Sequence, residues 1–90
     1  MNATEDYLGR VHALLWAAAD FLSAGERSEV QHLIDSGEPA EGLRSLAWII
    51  VDGGLRVPAS VIASIRELSE GFVAATDLPP NLDDHGLPEQ

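Results

Sequence analysis

The ninety-residue chain has no cysteine, no lysine, and only five aromatic residues of the Phe, Tyr and Trp type. Without cysteine there is no disulfide, no thiolate zinc site and no thiol nucleophile. Without lysine all five bases are arginines; they stand against fifteen acids, and the formal charge is −10 at pH 7. Such a chain repels phosphate backbones and anionic lipid, so neither nucleic acid nor membrane is an expected partner, whereas a basic protein is. No run approaches the roughly 20 apolar residues that a membrane span needs. The first residues, Met1-Asn2-Ala3-Thr4-Glu5-Asp6, are acidic where a secretory signal is basic, so the expected location is cytoplasmic.

Reactive chemistry is scarce as well. No serine stands in a Gly-flanked elbow, and Gly53-Gly54 lacks the residues that turn a glycine pair into a phosphate loop. Glu29-x-x-His32 has the spacing of a helical carboxylate–histidine metal motif, but such sites need a second copy and further inward-facing acids, and the chain has neither. The expectation is a protein that is not an enzyme and holds no metal and no cofactor.

What the chain does have is hydrocarbon, with 46% of its residues apolar. That is enough to fold, although a domain this short buries only about 60–65% of the surface its unfolded chain exposes. Periodicity predicts an all-α fold, a small bundle of about four helices over residues 1–73. An acidic, Pro-containing C-terminal tail follows over residues 74–90.

The first helix is expected over Thr4–Leu22, with Tyr7, Leu8, Val11, Leu14, Leu15, Ala18, Phe21 and Leu22 as its apolar stripe. The second is expected over Glu26–Ser36, opened by a Ser23/Glu26 capping box and closed by Gly37. Pro39 suits the first position of a third helix ending at Gly53-Gly54, whose Leu46–Val51 run is apolar nearly all round and reads as the most buried segment. Pro58 opens a fourth helix with Val61, Ile62, Ile65, Leu68 and Phe72 on one face. From Asp77 to Pro88 there are turn residues and acids without a period, which reads as an extended, loosely packed tail.

Two tryptophans fall off these stripes. Trp16 lies on the side of the first helix shared by Glu5 and Asp20, and Trp48 lies toward Glu41, Arg44 and Asp52 of the third. A large ring framed by acids has the character of a binding anchor, and its plainer reading is a filler for a second core face. Between Asp20 and Glu41 six acids meet one base, Arg27, so that span carries −5. The candidate partner-binding residues are therefore Trp16, Asp20, Glu26, Glu29, Asp35, Glu38, Glu41 and Trp48.

The stretch Glu29-Val30-Gln31-His32-Leu33-Ile34-Asp35-Ser36-Gly37-Glu38-Pro39, followed by Leu43, Leu46-Ala47-Trp48, Val57-Pro58 and Ile65-x-x-Leu68, resembles MafI-type immunity proteins. The resemblance covers about residues 29–70. It implies a small acidic helical inhibitor that neutralises a cognate basic bacterial toxin, often a nuclease. The alternative is a self-assembling helical scaffold or adaptor, possible as a homodimer, motivated by the apolar girdle of the third helix.

Overall fold

The computed structural model describes residues 3–88, and they form an all-α domain. Helix α1 runs Ala3–Ala18 and tightens into a 3-10 turn, Ala19–Phe21. Helix α2 is Ala24–Asp35, α3 is Pro39–Asp52 and α4 is Ala59–Ser69. Two short strands, β1 (Val57–Pro58) and β2 (Gly86–Leu87), pair in parallel, Val57 with Gly86 and Pro58 with Leu87. Between α4 and β2 come two further 3-10 turns, Ala75–Asp77 and Leu82–His85.

The punctuation is local chemistry. Ser23 Oγ accepts from the Glu26 amide at 3.1 Å while the Glu26 carboxylate accepts from the Ser23 amide at 2.8 Å, so two orphan donors at the start of α2 are satisfied reciprocally. At its end, Gly37 takes φ = +84°; its amide donates to Ile34 O and that of Glu38 to Leu33 O, a Schellman closure that only a residue at ease in the left-handed region makes cheaply. Ala3 is already helical, so Thr4 lies inside α1 and does not cap it.

The core is one cluster. Val11, Leu14, Leu15 and Ala18 of α1 meet Val30 and Ile34 of α2, Leu43, Leu46, Ala47 and Ile50 of α3, and Val61, Ile62, Ile65 and Leu68 of α4. Helix α3 packs against all three other helices, as its all-round apolar run implies.

Two expectations change in the structure. Helix α4 stops at Ser69, so Phe72 is not on its buried face; it is 64% exposed and lies against the Tyr7 ring, centroids 4.7 Å apart. More consequentially, the segment after Val73 is not loosely packed. Leu78, Pro79 and Leu82 are buried, Leu82 completely, and the described part of the tail folds back over α3 and α4. Four side chains fasten it, three reaching its backbone or an acid from outside and one, His85, reaching back from the tail itself. Trp48 Nε1 donates to Asp77 O (2.8 Å), Arg56 to Asp84 O (2.6 Å), and His85 Nδ1 to Leu55 O (2.8 Å); Arg66 pairs with Asp83 at 2.7 Å. The tail thus packs on part of the girdle of α3 that motivated a homodimer, with Trp48 left 37% exposed.

Tyr7 ties the first and last helices together, its hydroxyl donating to Leu68 O at 2.7 Å. Partial burial raises the phenol above its ordinary value of 10.0, because the protein disfavours the anion more than water does. The folded pKa is the higher one, so this contribution to stability is complete below about pH 10 and fades as pH rises through the folded pKa. A phenolate absorbance titration beside an alkaline melting series should therefore show ionisation above pH 10 accompanied by loss of stability.

Candidate functional site

The chain reverses direction at Leu22–Ser23, which lays α2 alongside α1 and leaves a groove between their outer flanks. With Val11, Leu14, Leu15 and Ala18 turned to the core, the 100° step of the helix puts Gly9, His12, Ala13 and Trp16 on this flank of α1. Val30 and Ile34 anchor α2 inward, so Ala24, Arg27, Ser28 and Gln31 form the facing wall. The groove is open, mostly apolar and about 660 Å³ in volume.

Trp16 stands at one end of this groove, 81% exposed, the most exposed large apolar side chain among the described residues. Asp20 follows it by four residues, at the 3-10 turn that ends α1. At the other end Gln31 donates to Asp35 Oδ1 at 2.8 Å and approaches His12 Nδ1 at 3.5 Å, which fixes Asp35 one turn beyond the wall residue. An apolar trough with a carboxylate beyond each end is the result.

Three of the expected partner-binding residues, Trp16, Asp20 and Asp35, are thus brought to one place. The other five are not. Glu26 is committed to the cap of α2, and Glu41 is paired with Arg44 at 3.0 Å within α3. Glu29 lies about 120° around α2 from Asp35, on the flank away from α1. Glu38 is the exposed N-cap residue of α3 and makes no side-chain cap bond. Trp48 is 37% exposed and its indole N–H is spent on Asp77 O, so it holds the tail in place and is not a free anchor.

Sequence reasoning missed His12, Arg27 and Gln31 as wall residues. In the sequence Arg27 stood out only as the one base among the six acids between Asp20 and Glu41. Arg10, Arg44 and Arg66 make ion pairs and Arg56 holds a carbonyl, which leaves Arg27 the one arginine whose guanidinium makes no ion pair or hydrogen bond among the described residues. Glu29 and His32 are both exposed, and among the described residues no group of three His, Asp or Glu is placed to hold a metal.

No helix of the described residues is long and apolar enough to cross a membrane. No family model matches the chain, and no solved structure matches it. An erythroid-specific, mitochondrial 5-aminolevulinate synthase of Danio rerio is 31% identical to it over 74 residues, which are 82% of this chain and 12% of that enzyme. The chain therefore spans a small fraction of the length of the curated relative it matches.

Proposed function

We propose that the protein is an inhibitor of a basic protein, an immunity-type partner for a cationic toxin such as a nuclease, and that it acts by binding and not by catalysis. One observation carries the reading: a tryptophan 81% exposed at an apolar groove with an acid beyond each end, on a chain of formal charge −10. An exposed indole gains most when a partner desolvates it, and a surrounding negative field steers a basic partner toward it. The resemblance over residues 29–70 supports the same function class. The partner's own cationic surface, the one that would meet nucleic acid, is what a bound acidic domain covers.

The test begins with capture from the source cell under stepped salt, followed by purification of the partner and co-expression of the pair. Suppression of the partner's toxicity on co-expression is the expected result. The association rate should fall as salt rises, since the Debye length shrinks from about 10 Å at 0.1 M to about 3 Å at 1 M. Trp16→Ala should weaken the complex by about 30-fold, the scale of a hot-spot residue. An affinity indifferent to both salt and Trp16→Ala would remove the proposal.

A further inference from the structure

Helix α1 has a groove on each side. The larger, already described, lies toward α2; a second, of about 270 Å³, lies toward α4 between Ala13 and Ala17 on one bank and Ser60 and Ser64 on the other. Both grooves reach Ala13, so the outer side of α1 forms a low ridge between two troughs. A Cβ built on Gly9 meets nothing within 4 Å, and Gly9, Ala13 and Ala17 are all exposed, so no side chain of the fold fills the space above them.

From this relief we infer that the groove takes an amphipathic α-helix of the basic partner, lying along α1 with its apolar stripe in the α1/α2 trough. The inference rests on the proposed function for the partner's charge, and on the shape of the trough for the helix. A row of helical side chains fits the trough between two helices, and small residues beneath it let the backbones approach closely. The two-residue strands β1 and β2 offer too little edge for an added strand to be the alternative.

The trough also sets the length and charge of its occupant. Gly9 and Trp16 are seven residues apart, about 10 Å along the axis, which admits apolar anchors at i, i+3 or i+4, and i+7. One turn beyond each end stand Asp20 and Asp35, so the segment carries Lys or Arg on both sides of the apolar stripe. Arg27 in the wall opposes a uniformly cationic peptide. Its guanidinium needs an acceptor opposite, and the segment supplies a Glu or Gln beside its central anchors. A second copy of this chain is disfavoured, because joining two chains of formal charge −10 each is repulsive.

The experiment is calorimetric titration of the full-length protein with a synthetic helix of about 14 residues carrying leucines on one face, a central glutamate and lysines at both ends. A scrambled peptide of the same composition keeps the charge and loses the stripe. Two exposed variants add the same positive charge, Ala13→Arg on the ridge and Ala63→Arg on α4 outside the trough. The patterned peptide is expected to bind wild type and Ala63→Arg alike, with Ala13→Arg and the scrambled peptide each weaker by about tenfold or more. Equal binding of both peptides, equal effects of the two variants, or no binding at all would each overturn the inference. A captured basic partner that Ala13→Arg holds as tightly as wild type overturns the docking mode and leaves the proposed function standing. The expected peptide result without any basic partner in the cell does the reverse.

Discussion

Leu82→Ala is expected to lower the stability of the domain by about 2–5 kcal/mol, although the residue lies in a segment with the composition of a loose tail. Its side chain is fully buried, at 0% exposure, in the same cluster as Leu43, Ile50 and Ile65. Truncation removes the transfer energy of the lost methyl groups and leaves a hole that the surrounding helices close only in part. A chain of 90 residues at about 0.05–0.15 kcal/mol per residue has about 5–13 kcal/mol in total, so the loss is a large share. In thermal melts the midpoint should drop by about 10 °C or more. Leu87→Ala is the control, since that side chain is 43% exposed and its loss should change stability by about 0.5 kcal/mol or less. A Leu82→Ala protein that melted like wild type would mean that the tail does not contribute to the core.

Elements with a local signature were legible in the sequence. The Ser23/Glu26 box, the Gly37 terminator and Pro39 at the first turn of α3 each act within a few residues, and each stands where the pattern put it. The stripes of α1 and α3 were readable for the same reason, because burial repeats with the helical period. The tail had no such period. Leu78 and Leu82 are single apolar side chains among prolines and acids, and their partners lie far back in the chain; the bonds that fasten the segment join residues 28 to 30 positions apart in three of four cases. Trp48 carried two readings in the sequence, a binding anchor and a filler for a second core face, and its tail partner was legible in neither. The helical wheel placed it off the main stripe, but the surface it meets belongs to the tail, which no wheel contains. Trp16 shows the converse. The wheel left it without a partner and the folded chain supplies none large enough to cover it. The groove beside it depends on how α1 and α2 sit together, so His12 and Gln31 became wall residues only once both helices were in place.

Two glycines inside helices should respond to substitution with opposite signs. Gly42 lies in α3 where it faces α2, and a Cβ built on it stands 3.0 Å from Ile34 Cγ1 and 3.6 Å from the Val30 carbonyl oxygen. The absent side chain is what lets the two helices approach here. Gly42→Leu should therefore push α2 away from α3, breaking contacts of Val30, Ile34, Leu43 and Leu46 together, and cost about 3 kcal/mol or more. Gly42→Ala sets two effects against each other. Alanine stabilises a helix interior by about 0.5–1 kcal/mol relative to glycine, while overpacking costs about 1–3 kcal/mol, so a net loss of about 1 kcal/mol is expected. At Gly9 only the first effect operates, because nothing lies within 4 Å of the added carbon. Gly9→Ala should raise stability by about 0.5–1 kcal/mol. Urea unfolding of the three variants measures the helix-propensity gain at Gly9 and the packing penalty at Gly42 separately. If Gly42→Ala gained as much as Gly9→Ala, the close α2–α3 approach would be wrong, and with it the placement of the wall that α2 gives to the groove.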